Sequence, residues 1–176
     1  EDIVVRRNDI QGNSISGLMQ IAPQDTGKDE RFRNIVVEAN SFSNTATSGT
    51  GTCILGGGGS NISIRNNLFR NGDNNNITSN IAYSNGNALA INSFEVIPAI
   101  NVYVYNNVLY CGRVTSSGTP ARMVDINSAT ASGWQVKNNV MYMPNHTNGS
   151  NTVAMGSGIG GATVSNNSSN AQTKLT

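Results

Sequence analysis

The sequence predicts an all-β protein, a solenoid of stacked parallel strands, and three observations predict it. A short alternating strand that runs into a polar pair and then resumes recurs six times. Asparagine and glycine are abundant, at 28 and 19 of 176 residues, and both disfavour helix interiors and suit tight turns. No stretch carries the 3.6-residue apolar period of an amphipathic helix.

The repeat is clearest at residues 61 to 72, "NISIRNNLFRNG", where Ile62 and Ile64 alternate with Ser63 and Arg65 before Asn66 and Asn67 interrupt and Leu68 and Phe69 resume. The same shape runs from Ile3 to Ile10, Asn34 to Phe42, Asn101 to Leu109 and Trp134 to Met141, with a worn copy from Ala162 to Ser168. Its marker asparagines are Asn8, Asn40, Asn67, Asn107, Asn139 and Asn167, about 27 to 40 residues apart. Such a period signals stacked repeats rather than an ordinary domain. The uneven spacing around a constant core implies fixed strands joined by loops of variable length.

A second strand signal lies between successive markers, at Gly17–Ile21, Thr52–Leu55, Ala88–Ile91, Met123–Ile126 and Thr152–Met155. Each turn of the repeat therefore holds an alternating strand, a bend at Asn, a short apolar strand, a loop, a further strand and a return loop. The glycine-rich "ILGGGGS" at 54 to 60 is expected to be one such return loop; it enters a strand and lacks the Lys-Ser/Thr of a phosphate-binding loop.

The asparagines have a physical reason to sit at the bends. A sharp turn between two sheets strands backbone groups that must be satisfied when buried. An Asn side chain offers two donors and an acceptor and tolerates the left-handed conformation that bends need. Stacked at equivalent positions, identical amides can hydrogen-bond along the axis as a ladder. The column is expected to be structural.

At 176 residues the chain suffices for one domain, 1–176, with a buried core. A stack that opens directly in a strand, with no capping element, is expected to be a piece of a longer chain. A net charge of +1 with 12% charged residues points to neither a nucleic-acid nor an acidic-membrane partner. No apolar run approaches the length of a membrane-spanning helix. Cys53 and Cys111 fall in different repeats and at different points of the repeat, so two buried thiols are expected rather than a disulfide.

The pattern N-I-x-I-x-N-N-x-F-x-N resembles the repeat of right-handed parallel β-helix proteins, the pectate-lyase-like superfamily, over nearly the whole chain from Asp2 to about Asn170. The resemblance implies a right-handed parallel β-helix of about five to six coils. It also implies an extracellular setting and a polysaccharide partner. That superfamily includes polysaccharide lyases, glycoside hydrolases, uronan epimerases, phage tailspikes and adhesins, so fold alone does not select a function.

Alternation points Ile35 and Val37 inward and Val36 and Glu38 outward. The equivalent outward position of each repeat gives a column of Arg6, Glu38, Arg65, Tyr105, Lys137 and Ser165; past the bend a second column holds Gln11, Ser43, Arg70, Tyr110 and Tyr142. Successive members are expected about 4.8 Å apart, close to the length of one sugar residue. An anionic polysaccharide lying along the axis would meet Arg65, Arg70 and Lys137, whose charges suit carboxylates or sulfates. Tyr105, Tyr110 and Tyr142 would stack on sugar faces while donating a hydrogen bond, and Glu38 would add a polar contact. Solvated strands need polar side chains in any case, and aromatic ladders stabilise sheets unaided.

Lyases of the resembled class remove a proton next to a uronic acid, neutralising its carboxylate with calcium or with Arg or Lys. The corresponding candidates here are Lys137 or Tyr105 as base with Arg65 as neutraliser. An ordinary Lys or Tyr would need burial or a cationic neighbour to lower its pKa for that work. Calcium needs clustered carboxylates. The acidic group Asp25, Asp29 and Glu30 in "PQDTGKDERFR" is neutralised by Lys28 and Arg31, so that loop is expected to be a solvated surface and no metal site is assigned. His146, in the turn-like "PNHTNG", stands alone. The Asp-Asp, Gly-His-Gly and Arg-x-Lys of the related polygalacturonan hydrolases are absent, as are the Asp-Pro-His of the epimerases and the Arg-x-Pro-x-x-Arg of pectate lyases. The leading expectation is a secreted, monomeric, polysaccharide-lyase-like protein. The alternative is the shaft of a phage tailspike or surface adhesin, a homotrimer in the tailspike case.

Overall fold

A computed structural model describes residues 2–13, 17–21, 33–45, 52–57, 59–71, 79–84, 99–111, 122–127, 132–142, 153–155 and 163–170. The described residues are all-β. The chain begins with β1 (Ile3–Arg6), β2 (Asp9–Gly12) and β3 (Gly17–Ile21), followed by β4 (Arg33–Glu38), β5 (Ser41–Asn44) and β6 (Thr52–Gly57). Next come β7 (Gly59–Arg65), β8 (Leu68–Asn71) and β9 (Ser79–Ser84), then β10 (Ala99–Tyr105), β11 (Val108–Cys111) and β12 (Arg122–Asn127). The last are β13 (Gln135–Lys137), β14 (Val140–Tyr142), β15 (Val153–Met155), β16 (Thr163–Ser165) and β17 (Ser168–Asn170).

Every third strand joins the same sheet. The first sheet orders β1-β4-β7-β10-β13-β16, the second β2-β5-β8-β11-β14-β17 and the third β3-β6-β9-β12-β15. All strand pairs are parallel, an arrangement consistent with a solenoid. Below, a rung denotes one strand of the first sheet with the strand of the second that follows it.

The alternation predicted from sequence decides which side chains turn inward. In β4, Ile35 and Val37 are buried while Val36 and Glu38 are partly exposed; in β7, Ile62 and Ile64 are buried beside partly exposed Ser63 and Arg65. Ile35, Ile62 and Val102 share one register position, and Val37, Ile64, Val104 and Val136 another. The second sheet adds Phe42, Phe69 and Leu109, and the third adds Ile54, Ile81 and Val124, so one apolar core draws on all three sheets. Phe42 and Phe69 stack with ring centroids 4.9 Å apart and an interplanar angle of 13°, because register sets like over like. Trp134 fills the same core and is fully buried.

Three expectations change. The third-sheet strand between β6 and β12 is β9 (Ser79–Ser84), ahead of the Ala88–Ile91 signal, which lies outside the described residues. Ile81 is the reason: it stands in register between Ile54 and Val124 and is fully buried. The glycine-rich stretch is mostly strand, since β6 extends to Gly57 and β7 resumes at Gly59. Gly59 is buried with φ of 101°, a conformation open to a residue without Cβ. The left-handed residue of each bend is also not the marker Asn but the residue before it.

Arg7, Ala39, Asn66, Asn106, Asn138 and Asn166 have φ between 53° and 57°. The marker that follows can then turn its side chain inward, where Asn40, Asn67, Asn107 and Asn139 are buried. Each of these four amides is held on every side. Asn107 Oδ1 accepts from Asn67 N at 3.0 Å and Asn67 Nδ2 at 3.1 Å, and its Nδ2 donates to Asn139 Oδ1 at 3.0 Å and to the Ile64 carbonyl at 2.9 Å. Two donors and two lone pairs are thereby used, the whole capacity of a primary amide. The ladder runs unbroken from Asn8 through Asn40, Asn67, Asn107 and Asn139 to Asn167.

A second ladder stands where the chain enters the first sheet. Asn34, Asn61 and Asn101 also have φ of 55°, and Nδ2 of each donates to the side-chain oxygen one rung below: Asn34 to Asp2 at 2.9 Å, Asn61 to Asn34 and Asn101 to Asn61 at 3.2 Å. In the fifth rung Gly133, φ 66°, takes this corner; a Cβ there would lie 2.2 Å from Asn101 Oδ1.

Candidate functional site

The outward positions of the first two sheets form the candidate surface. Register places Arg6, Glu38, Arg65, Tyr105, Lys137 and Ser165 in one column. A second column holds Gln11, Ser43, Arg70, Tyr110 and Tyr142. Both columns follow the sequence reading residue for residue, because parallel pairing without slippage sets equivalent positions over one another.

Within the first column three residues are joined. Arg65 donates from Nε to Glu38 Oε2 at 2.8 Å, with Nη2 also 2.8 Å from that oxygen, and from Nη1 to the Tyr105 hydroxyl at 2.9 Å. Glu38, Arg65 and Tyr105 thus form a chain across three rungs. The Arg65 guanidinium is held above its ordinary pKa, first by its hydrogen bond to Tyr105 and then by its hydrogen bond to Glu38. It stays charged throughout the neutral range.

This geometry divides the expected catalytic trio. Arg65 and Tyr105 are in contact, whereas Lys137, the next residue of the column, directs its ammonium along its own strand to Gln135 Oε1 at 2.9 Å. Glu38 already fills one edge of the Arg65 fork, the place where a substrate carboxylate would bind. Sequence showed that these residues share a column; it did not show the pairing, because side-chain direction depends on which neighbour has a matching group within reach.

In the second column the Tyr110 and Tyr142 rings lie 5.9 Å apart, tilted by 38°. Arg70 is exposed and pairs with no carboxylate among the described residues. Alternation missed an apolar column beside it: Leu68, Val108 and Val140 stand in register at 40%, 45% and 40% exposure. The signal was present, since each follows its marker Asn directly. Its outward direction follows from the burial of Phe69 and Leu109 one residue later.

On the remaining candidates, no group of three or more His, Cys, Asp or Glu able to hold a metal occurs among the described residues. The acidic group at Asp25, Asp29 and Glu30, and His146, lie outside them. Cys53 is a buried thiol with Sγ 3.8 Å from the Arg70 carbonyl oxygen; the Cys111 side chain lies outside the described residues. Comparisons with protein-family models, curated proteins and solved structures return no match.

Proposed function

We propose that the chain is a right-handed parallel β-helix of about five to six coils, similar to the pectate-lyase-like superfamily, that binds an extracellular polysaccharide along its outer face. One observation carries the reading. The two columns, with the exposed Leu68, Val108 and Val140 between them along the chain, bring Arg65, Tyr105 and Lys137, and Arg70, Tyr110 and Tyr142, onto three successive rungs. At about 4.8 Å per rung the spacing matches a sugar chain laid along the axis. Tyrosine rings suit the apolar faces of sugars, and guanidinium and ammonium groups suit their acidic substituents.

Lyase-type cleavage is the chemistry this reading extends to. A base takes the proton next to the uronate carboxylate, its electron pair forms a carbon–carbon double bond, and the glycosidic carbon–oxygen bond breaks with protonation of the leaving oxygen. Tyr105 and Lys137 are the candidate bases. With Arg65 occupied by Glu38, Arg70 is the better placed neutraliser. Incubation with a panel of uronic-acid polymers, read as ultraviolet-absorbing unsaturated ends, decides cleavage, and glycan binding decides the reading itself. Cleavage should be lost in Lys137→Ala. No product on any polymer ends the lyase extension; no binding to any polysaccharide ends the proposal.

A second reading rests on the unbroken amide ladder, which suits a rigid shaft. A tailspike shaft should be a homotrimer and a lyase a monomer, so mass in solution separates them.

A further inference from the structure

The charges of the two outward columns alternate by rung. The first rung carries Arg6 and the second Glu38 beside Ser43. The third carries Arg65 and Arg70, the fourth Tyr105 and Tyr110, the fifth Lys137 and Tyr142, and the sixth Ser165. The charge of Arg65 is balanced by Glu38 at 2.8 Å. Within the two columns, the cations that pair with no carboxylate among the described residues are then Arg6, Arg70 and Lys137, on the first, third and fifth rungs. The even rungs place no cation in either column. Positive charge on this face thus recurs every two rungs, about 9.6 Å along the axis, roughly two sugar residues.

A polymer with a carboxylate on every sugar would set half of its charges against Tyr105 and Tyr110 or against Glu38. Juxtaposing like charges, or leaving a charge unpaired on binding, is penalised. A polymer with an acidic group on alternate sugars meets a cation with each acid and an uncharged or aromatic rung with each neutral sugar. The fourth rung suits this best, since two tyrosines there face the sugar between the acids bound by Arg70 and Lys137. From this alternation we infer that the polysaccharide taken by this face is one whose uronic acids alternate with uncharged sugars, an inference that rests on the polysaccharide-binding reading above.

The test compares hyaluronan oligosaccharides, in which every second sugar is a uronate, with oligogalacturonate of equal length and with uncharged cello-oligosaccharides. Binding to the full 176-residue chain is followed by calorimetry at fixed salt. Hyaluronan should bind about tenfold or more tightly than oligogalacturonate. Arg70→Gln and Lys137→Gln should each weaken hyaluronan by about tenfold, the loss of one charge-assisted hydrogen bond, with circular dichroism unchanged. Tyr110→Lys, which puts a cation on an even rung, should raise affinity for oligogalacturonate more than for hyaluronan. Equal or tighter binding of oligogalacturonate by the unaltered chain, still weakened by Arg70→Gln, would overturn the alternation and leave polysaccharide binding standing. Preference for the uncharged oligosaccharide would do the same. Failure of all three to bind would overturn both.

Discussion

Asn107→Ala tests the ladder where it is most enclosed. Asn67, Asn107 and Asn139 are each no more than 2% exposed. Alanine removes four hydrogen bonds at once. It orphans the Asn67 backbone N–H and one hydrogen of Asn67 Nδ2, both of which had bonded Asn107 Oδ1. Asn67 Nδ2 keeps its bond to Val37 O, and Asn139 Oδ1 keeps the backbone N–H of residue 107. Two orphaned buried groups at about 1–3 kcal/mol each put the cost near 2–6 kcal/mol. For a chain of this length that lowers the unfolding midpoint by roughly 5–20 °C. Thermal and urea unfolding followed by far-ultraviolet circular dichroism measures the loss. Hydrogen exchange should show the Asn67 amide losing protection before its strand neighbours. The same substitution at Asn167, which is only partly buried, should cost distinctly less because water can replace the lost partners. An Asn107→Ala protein as stable as the parent, with Asn67 still protected, would refute the claim that the ladder holds the bends.

Three further outcomes follow from the same geometry. Gly133→Ala combines a left-handed φ of 66° with a Cβ 2.2 Å from Asn101 Oδ1 and should destabilise by about 1–3 kcal/mol in urea unfolding. Ala39→Asn should stabilise by about 0.5–1 kcal/mol, since Ala39 holds φ of 54° at an exposed bend where Asn66, Asn106 and Asn138 serve other rungs. Glu38→Gln removes a partly solvated ion pair worth about 1 kcal/mol at most and should raise affinity for acidic oligosaccharides by freeing the Arg65 fork. Stability due to Arg65 is present below its unfolded-state pKa and is lost only as pH rises through its raised folded value. Arg65→Gln should therefore cost the same at every neutral pH, measured as the difference in urea midpoint.

Much of this architecture is legible in the chain because a stack of parallel strands repeats one local problem. Ile35, Ile62 and Val102 alternate with polar neighbours, and each bend is marked by an amide, so inward faces, outward columns and the ladder follow from positions one repeat apart. The reading fails where local pattern and rung geometry part company. Ser79–Ser84 serves as the third-sheet strand, ahead of the apolar run at Ala88–Ile91, because Ile81 meets Ile54 and Val124 across the stack. The left-handed bend falls on Ala39 rather than Asn40, because the marker has to aim its side chain inward.

By itself the sequence determined the strand class, the inward and outward faces and the membership of each column, since these depend on a period of two and on chemically equivalent repeats. Tertiary structure alone decided that Arg65 binds Glu38 and Tyr105 while Lys137 turns to Gln135. It also left Arg6, Arg70 and Lys137 as the cations of the two columns that pair with no carboxylate among the described residues, on alternate rungs. The Arg65 pairings depend on side chains brought within hydrogen-bond reach from residues 27 and 40 positions away, a proximity created only when the strands stack.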